Sequence, residues 1–378
     1  MELKKYKLRD IAEIYISSID KKSKEGEQSV RLCNFVDIYH NWAITKDLVP
    51  NFMIASANDN NIKRFSLKEG YVAFTKDSET RDDIGIPAYI ADDLDNTVLG
   101  YHCALVKPNA DILSGKYLNA FLHSDYIKKY FELNATGSGM RYTLSTETLN
   151  NIPILVPSLE MQEYIGNILS DIDRKICLNR QINDNLEAQL RLITSRYIFS
   201  CPNLEKKRIG EIATVKAGGD CPITFSKTRT QKCNIPIFSN GTEDRGLYGF
   251  TNKANIEGHS ITIAARGTIG YCERRLMPFV PIIRLLAITP KEDGAYIYLH
   301  QVIRGMKFKK NGSVQQQLTA PEISFIEIPY PHSSVLHEYN KVASPIVEMI
   351  ERNISENDIL TKQRDELLPL LMNGQASV

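Results

Sequence analysis

Basic and amide side chains that could contact a nucleic acid are concentrated in loop segments of the second half of the chain. Cationic groups bind phosphate oxygens, and the amide of glutamine can form two hydrogen bonds with the edge of adenine. The candidates for such contacts are Lys227, Arg229, Lys232, Arg266, Lys307, Lys309, Lys310, Ser313, Gln315, Gln316 and Gln317. The alternative interpretation is that these side chains are solvated groups on exposed loops.

The first half of the chain offers a second set of candidates, beside segments with the composition of turns. They are Lys63, Arg64, Lys76, Arg81, Ser138, Arg141 and Tyr142. A solvated surface charge is again the competing interpretation for any single lysine or arginine. Acidic residues such as Asp92, Asp93 and Asp95 are expected to form a solvated loop that lies away from a basic face.

Formal charge is distributed unevenly along the chain. The 378 residues carry a net charge of only +1 at pH 7, yet residues 204–331 alone carry +7. Residues 1–157 carry −2, residues 158–203 carry −1 and residues 332–378 carry −3. A clustered positive segment favours binding to a phosphate backbone, because neutralised phosphates release condensed counterions. A merely soluble basic domain remains the alternative.

Motifs that carry catalysis are missing from the sequence. An amino-methyltransferase needs an Asn- or Asp-Pro-Pro-aromatic motif and a glycine-rich loop after a strand, whereas Gly137-Ser-Gly139 follows a helix predicted over residues 117–133. A Gly-Lys-Ser/Thr phosphate loop and a Gly-x-Ser-x-Gly elbow are also lacking. We therefore predict no catalytic residues and no cofactor bound by this chain, although a metal-dependent nuclease could be hidden among its 45 acidic residues.

Metal binding and membrane association are not predicted either. The seven cysteines include no Cys-x-x-Cys pair, and the seven histidines are dispersed, so we expect no metal site. No apolar run approaches the roughly 18 residues that span a bilayer, and the first residues lack the apolar core of a signal peptide. We expect a cytoplasmic protein without membrane contact.

The sequence repeats itself in order and spacing, which indicates two copies of one domain. In the clearest match, a Gly-Ser loop leads through a short segment to an apolar strand that ends in proline, at Pro157 in one copy and at Pro331 in the other. A long helical stretch follows each proline. The matched segments are residues 6–14 with 207–215, 68–74 with 256–262, and 137–157 with 312–331.

Each copy is followed by a pattern typical of a coiled-coil helix, with seam residues in steps of four and three. The first seam is Ile165, Leu169, Ile172, Ile176, Asn179, Asn183, Leu186, Leu190, Ile193 and Tyr197; the second is Tyr339, Val342, Ile346, Met349, Asn353, Glu356, Leu360, Gln363, Leu367 and Leu370. Both seams turn polar at the same place, which favours pairing of the helices with each other. The alternative is that each helix packs on its own domain. Pro345 predicts a kink or a late start in the second helix.

The predicted fold is therefore α+β, with two tandem mixed α/β domains, each followed by a long helix. The two helices are expected to pair as an antiparallel coiled coil, which would place the domains at opposite ends of a rod of roughly 60 Å at about 1.5 Å per residue. The predicted boundaries are residues 1–157 and 201–331 for the domains, and residues 158–200 and 332–378 for the helices.

This arrangement resembles the specificity subunit of type I restriction-modification systems over nearly the whole chain. The motifs that carry the resemblance are the loop-to-helix run from Gly137 to Ser145, the strand from Ile152 to Pro157, and the helix start from Met161 to Ile176. The second copy departs from the family pattern, with His337-Glu-Tyr in place of a glutamine-containing helix start.

The resemblance implies a non-catalytic subunit with two target-recognition domains, each reading one half of a two-part target in double-stranded DNA. It also implies that two methyltransferase subunits, which use S-adenosylmethionine, dock on the helices, and that a motor-nuclease subunit could join them. A rod of roughly 60 Å spans less than two DNA turns of about 34 Å and would act as a ruler. Two alternatives remain open, a two-headed scaffold that binds proteins and a nuclease or modification enzyme with degenerate motifs.

Overall fold

The structure is a computed structural model that describes residues 3–139, 141–201, 204–308 and 317–372. It comprises two compact units, which we call the first unit (Met1–Asn179 with Ser355–Val378) and the second unit (Arg180–Ile354). Each unit contains mixed sheets with short helices and a part of both long helices. The predicted α+β class is confirmed.

Thirteen short strands, seven α-helices and one 3-10 helix (Lys46–Asn51) are found among the described residues between 3 and 194. The strands are β1 (Lys4–Lys7), β2 (Ala12–Ile16), β3 (Gln28–Cys33), β4 (Ala43–Ile44), β5 (Met53–Ala57), β6 (Val72–Thr75), β7 (Asp77–Ser78), β8 (Pro87–Ile90), β9 (Thr97–Leu99), β10 (Cys103–Pro108), β11 (Thr136–Ser138), β12 (Arg141–Thr143) and β13 (Pro153–Val156). The helices are α1 (Leu8–Ile11), α2 (Phe35–Tyr39), α3 (Asp59–Phe65), α4 (Gly115–Leu122), α5 (Asp125–Asn134), α6 (Thr146–Asn150) and α7 (Leu159–Thr194).

The central sheet of the first unit has the strand order β2-β10-β6-β8-β4. Side chains of β10 alternate between its two faces, as the pleat requires. Ala104 and Val106 join the core that contains α4, whereas Cys103 and Leu105 join the core shared with the smaller sheet β5-β3-β9. Burial on both faces explains why β6 is apolar from Val72 to Phe74 and β10 from Cys103 to Val106, rather than alternating. A third sheet, β11-β12-β7, lies beside the end of β6.

The helix predicted over residues 117–133 is interrupted in the structure. It is divided into α4, which ends at Leu122, and α5, which begins at Asp125. Ser124 has an extended backbone, and its hydroxyl donates to the carbonyl of Phe121 at 2.6 Å. A serine that bonds nearby backbone competes with helix continuation, which accounts for the break.

The second unit repeats this architecture with fewer strands. Its strands are β14 (Glu205–Arg208), β15 (Ala213–Ala217), β16 (Ile235–Phe238), β17 (Leu247–Thr251), β18 (Ser260–Ala264), β19 (Cys272–Arg275), β20 (Val280–Pro281), β21 (Leu285–Pro290) and β22 (Glu327–Tyr330). Its helices are α8 (Ile209–Ile212), α9 (Ala295–Arg304), α10 (Ala320–Phe325) and the first part of α11 (Ser333–Met372), whose residues after Ile354 belong to the first unit. The sheet β15-β21-β18-β19 corresponds to β2-β10-β6-β8, and β17-β16-β20 corresponds to β5-β3-β9.

Individual hydrogen bonds confirm that the two domains are copies. The hydroxyl of buried Tyr117 donates to the carbonyl of Leu155, and the hydroxyl of buried Tyr298 donates in the same way to Pro329. Leu155 and Pro329 occupy the same position of β13 and β22, two residues before the prolines that end the copies. The predicted repeat is therefore a repeat of structure as well as of sequence.

The long helices pair within each unit. In the first unit, Ile165 and Leu169 of α7 share a core with Leu368 and Leu371 of α11, while Asn179 donates to Asn357 at 2.9 Å. Position numbers rise along one helix as they fall along the other, so the pairing is antiparallel, as predicted. The late start considered for α11 is wrong, because the helix begins at Ser333, well before Pro345.

The seam of α7 faces inward at every described position that was predicted for it. Its seam side chains are buried at Ile165, Leu169, Ile176, Asn179 and Leu190, and half-buried at Ile172, Asn183, Leu186 and Ile193. The predicted seam residue Tyr197 is also half-buried, and it lies after α7 in a π-helical segment (Ser195–Phe199).

The predicted seam of α11 is correct only in part, because Tyr339 is buried whereas Val342, Met349 and Leu370 are exposed. Val342 and Met349 are 38% and 40% exposed, and their assignment to the seam is wrong. The residues after them, Ala343 and Ile350, are buried together with Val347. The apolar spacing favours the larger Val342 over Ala343, although a small side chain allows two helices to pack closely. Among the other predicted positions, Asn353 is buried and Ile346, Leu360 and Leu367 are half-buried.

Candidate nucleic-acid interface

Three loops meet at one edge of the first unit because of strand pairing around β6. The backbone N–H of Lys76, just after β6, donates to the carbonyl of His102, just before β10, at 2.8 Å. The backbone N–H of Leu144, just after β12, donates to the carbonyl of Lys76 at 2.9 Å. These bonds bring together candidates from residues 76–81 and 141–142, which lie about 60 positions apart in sequence.

A nearly buried carboxylate organises the cationic side chains at this edge. Asp77 accepts from Lys76 Nζ at 3.1 Å on one oxygen, and contacts His102 Nδ1 at 2.5 Å and Arg141 Nη2 at 3.3 Å on the other. Lys76 Nζ also donates to the hydroxyl of Thr143 at 2.9 Å. We call Lys76, Asp77, His102, Arg141 and Thr143 the Asp77 cluster.

Exposure within the Asp77 cluster increases outward from the carboxylate. The side chain of Asp77 is 10% exposed and that of Lys76 is 16% exposed, whereas His102 and Arg141 are 30% and 57% exposed. Burial alone would raise the pKa of Asp77, but hydrogen bonds from Thr143, His102 and Lys76 outweigh burial and lower that pKa to about 2. Asp77 is therefore ionised at neutral pH and fixes the cations around it.

Aromatic rings flank the Asp77 cluster. The guanidinium of Arg81 lies over the ring of Tyr142 at 5.0 Å from its centroid, which is a cation–π geometry. The ring of Tyr101 contacts that of His102 at a centroid distance of 3.8 Å, and Tyr101 is 49% exposed. Arg81 is exposed and Tyr142 is half-buried, so both present polar atoms to solvent. The side chain of Ser138 lies outside the described part of the structure.

The remaining candidates of the first unit, Lys63 and Arg64, lie elsewhere, in the last turn of α3. The guanidinium of Arg64 packs over the ring of Tyr15 at 4.8 Å, and Lys107 Nζ lies at 4.8 Å from the same ring. Burial and the nearby charges of Lys68 and Arg64 lower the pKa of Lys107, although Glu13 opposes them. This basic group on β2, β10 and α3 shares no described contact with the Asp77 cluster.

The second unit builds an equivalent edge with different side chains. The backbone N–H of Ala265, just after β18, donates to the carbonyl of Arg284 at 2.9 Å, and the N–H of Leu318 donates to the carbonyl of Ala265 at 2.9 Å. Ala265 thus takes the place of Lys76, and Arg266 takes that of Asp77. The exposed Gln317 is next to Leu318, so the edge brings two predicted candidates together, Arg266 and Gln317.

The turn that carries Arg266 is fixed by Asn240. Its side-chain amide donates to the carbonyl of Arg266 at 2.8 Å, and its own carbonyl accepts from the hydroxyl of Thr268 at 2.8 Å. Arg266 itself is half-buried. Lys307, which follows α9, is exposed. The candidates Lys309, Lys310, Ser313, Gln315 and Gln316 lie outside the described residues.

A separate surface of the second unit carries Lys227, Arg229 and Lys232, all of them exposed. Lys227 Nζ lies 5.5 Å from the centroid of Tyr248, whose ring contacts Phe225 at 5.7 Å. Basic groups interleaved with exposed aromatic rings suit contact with a phosphate backbone and its sugars.

Several arginines of the basic segment 204–331 are not available to a ligand. Arg274 and Arg275 are each 4% exposed. Arg274 pairs with Glu187 of α7, while Arg245 pairs with Glu351 of α11 at 2.9 Å. These ion pairs attach the domain to its helices. The net charge of +7 therefore overstates the positive surface, and this structural role was not foreseen from the sequence.

Sequence reasoning also missed residues at the two edges, namely Asp77, Tyr101, His102 and Arg284. A signal was present, since His102 and Arg284 each come directly before the matching strands β10 and β21. The described residues contain no group of three or more His, Cys, Asp or Glu side chains placed to hold a metal ion. Among the described helices, none is both long enough and apolar enough to cross a membrane.

The fold defines the class as a protein with two copies of one α+β domain and two long antiparallel helices that pair within each unit. The family model described as the type I restriction modification DNA specificity domain matches residues 1–188 and again residues 203–368. The chain belongs to this family and is a type I restriction-modification specificity subunit.

Named relatives support this family assignment. A Mycoplasma pneumoniae protein, provisionally named as a type I specificity subunit, is 30% identical over 292 residues, which cover 72% of this chain and 86% of the relative. The specificity subunit of the type I restriction enzyme HindI from Haemophilus influenzae is 23% identical over 403 residues, covering 82% of this chain and 87% of the relative. The crystal structure of a type I S subunit from M. genitalium is 18% identical, covers 98% of this chain and 96% of its own, and has a TM-score of 0.58, which supports the fold.

Proposed function

We propose that this chain reads a two-part target in double-stranded DNA, with one half-site recognised by each unit, as the non-catalytic subunit of a methyltransferase complex. The observation that carries the proposal is the duplicated edge. The same backbone hydrogen bonds support Lys76 and Asp77 in one copy, and Ala265 and Arg266 in the other. A constant backbone frame with different side chains suits the reading of two different base sequences.

The two units contribute differently to binding. The second domain has the positive balance and the exposed group Lys227, Arg229 and Lys232, which supports sequence-independent contact with phosphates. The first domain has a net charge of −2, so its affinity depends on a few placed cations. Arg141 and Arg81 at the Asp77 cluster are the groups best placed for this role, because both are exposed.

The long helices are proposed to set the spacing between the half-sites. α7 has 36 residues and α11 has 40 residues. At a rise of about 1.5 Å per residue, such helices extend for roughly 55–60 Å, which is less than two turns of DNA at about 34 Å each. The hydrogen-bonded asparagines in the seam support one fixed register between the helices, because shifting the register would leave buried amides unpaired.

The helices are also proposed to bind two methyltransferase subunits, which would supply S-adenosylmethionine, and a motor-nuclease subunit could join that complex. Val342 and Met349 support this docking role, because they are exposed apolar residues seven positions apart and therefore on one face of α11. Such a stripe is suited to a protein partner.

Selection of bound DNA tests the proposal. The full-length chain, co-expressed with a type I methyltransferase subunit, is incubated with a duplex pool randomised over several helical turns, and the bound fraction is sequenced. We expect two conserved stretches separated by a constant number of unspecified base pairs. If the chain bound no DNA at low salt, a protein-binding scaffold would be favoured instead. Methylation or cleavage of DNA by the purified chain alone would favour an enzyme.

A further inference from the structure

His102 and Arg284 occupy the same position in the two copies. Each residue comes directly before the strand that pairs with β6 or β18, since Cys103 pairs with Thr75 and Leu285 pairs with Ala264. Each also accepts a backbone hydrogen bond at its carbonyl, from Lys76 at 2.8 Å or from Ala265 at 2.9 Å.

Both residues have the same unusual backbone conformation. The φ angle is +72° at His102 and +74° at Arg284. This left-handed region is unfavourable for residues with a Cβ, and glycine or asparagine would adopt it at lower energy. Strain of this kind is concentrated at functional sites, where the side chain is needed in a direction that an ordinary turn does not provide.

The surroundings of the two residues are also alike. The preceding residue is a large apolar or aromatic group that is exposed in both copies, with Tyr101 at 49% and Ile283 at 53%. The following strand is buried from its first residue, Cys103 or Leu285. The side chains of His102 and Arg284 are therefore at the boundary between the core and the open edge.

The two side chains differ in how they are held. His102 contacts Asp77 and Arg141 within the Asp77 cluster. Arg284 is exposed, and among the described residues its guanidinium has no hydrogen bond or ion pair. Among the described residues, the backbone of Arg284 has a structural role, because its carbonyl accepts from Ala265, whereas its exposed side chain has none and can contact a ligand.

We propose that the position of His102 and Arg284 is a base-contacting position in both copies, so that each side chain determines specificity for the half-site read by its own unit. This inference rests on the proposed function. Arg284 would donate its paired N–H groups to O6 and N7 of a guanine in the major groove, which is the commonest specific arginine contact. His102, held by Asp77 through Nδ1, would contact a purine edge of the other half-site through Nε2, in exchange for the contact of Nε2 with Arg141.

Replacement by glycine removes the side chain and leaves a residue that adopts the left-handed backbone without strain. A change in the selected motif can then be attributed to the lost side chain. In Arg284→Gly the left-handed backbone remains favourable, so the midpoint of thermal unfolding is expected to stay unchanged or rise. The selection described above, performed with this variant, should lose the preference for guanine at one position of one half-site by about 10- to 100-fold. His102→Gly should change the other half-site only.

Lys206→Ala is the matched control for charge. Lys206 is exposed on β14 of the same unit, so its replacement also removes one positive charge. If Arg284 contacted only a phosphate, Arg284→Gly would weaken binding to all sequences equally and leave the preferred motif intact, which would overturn the proposal. If Arg284→Gly failed to fold, Arg284→Asn would be used, because asparagine also tolerates the left-handed region.

Failure of this inference is distinct from failure of the proposed function. A wild-type chain that selects no two-part motif would contradict the proposed function itself. A wild-type chain that selects such a motif, with Arg284→Gly and His102→Gly selecting the same one, would contradict only the assignment of this position.

Discussion

Asn353 donates a side-chain hydrogen bond to Asn183 at 2.9 Å, between the two long helices in the second unit. In the first unit, Asn179 donates in the same way to Asn357 at 2.9 Å. Pro157 and Pro331 are 174 positions apart, as are Asn179 and Asn353, and Asn183 and Asn357. The two hydrogen bonds are therefore equivalent under the repeat, and each helix supplies one donor and one acceptor. The two asparagine pairs at the polar centre therefore favour one register between α7 and α11.

Replacing Asn183 by Leu is expected to destabilise the protein. The amide of Asn353, which is 8% exposed, would lose its acceptor, at a loss of about 1–3 kcal/mol in the free energy of unfolding. Replacing both residues, as Asn183→Leu with Asn353→Leu, should recover this loss, because neither amide of this pair is then left without its partner. Urea unfolding measures both effects. Asn185→Leu, at an exposed position of the same helix, is the control, and a double variant less stable than Asn183→Leu would contradict the register role.

The ion pair between Glu187 and Arg274 is expected to hold α7 against the second domain. In Glu187→Gln the guanidinium of Arg274, which is 4% exposed, would lack a carboxylate partner, so the free energy of unfolding should fall by about 3–5 kcal/mol. Glu205→Gln is the control, since Glu205 forms a surface pair with Lys207 and is 73% exposed. Equal and small effects of the two changes, in thermal or denaturant unfolding, would show that the buried pair does not anchor the helix.

Asp77 is expected to make stability depend on pH in the acid range. Its pKa in the folded chain, about 2, lies below the ordinary value of 3.8, because the hydrogen bonds from Thr143, His102 and Lys76 outweigh burial. A depressed carboxyl pKa stabilises the fold above the unfolded pKa, and that stabilisation is lost as the pH falls through the folded pKa. The free energy of unfolding should therefore decrease between about pH 4 and pH 2, and Asp77→Asn should have a smaller decrease. Parallel curves for the two proteins would contradict the role of this carboxylate.

Lys227, Arg229 and Lys232 are expected to act on all DNA sequences alike. Their joint replacement by alanine should weaken binding without changing the selected motif, and should reduce the slope of log affinity against log salt by about 0.9 for each lost phosphate contact. The measurement is a salt titration of binding to target and unrelated duplexes. Arg141→Ala provides the comparison, because it should lower affinity for target DNA more than for unrelated DNA. An unchanged salt slope in the triple variant would show that this surface does not contact DNA.

Duplication and the long helices could be predicted from the sequence because they are encoded locally. Strands that end in proline at Pro157 and Pro331 and seams with regular apolar spacing are visible in one dimension. The sequence did not indicate which residues of α11 face the partner helix at every turn. Val342 and Ala343 are adjacent, and only three-dimensional packing shows that the smaller of the two is buried.

The recognition edges could be predicted only in part. Lys76, Arg81, Arg141 and Tyr142 were chosen for residue type and turn composition, and the structure places them together. Their organising residue, Asp77, depends on His102, which is 25 positions away, and on strand pairing that no local pattern specifies. Arg284 was missed for the same reason, since its significance follows from comparison with His102. The structural roles of Arg245, Arg274 and Arg275 also depend on tertiary contacts.

This chain is proposed to direct modification to a two-part DNA target. The most direct measurement is genome-wide mapping of methylated adenine in cells that produce a type I methyltransferase subunit, with and without this chain. We expect a motif of two short specified stretches with a constant gap, present only in cells that produce the chain. One of the two stretches should change when residues 204–331 are exchanged for those of a relative. Methylation that is the same with and without the chain, in cells where the chain and the methyltransferase are both produced, would contradict the account.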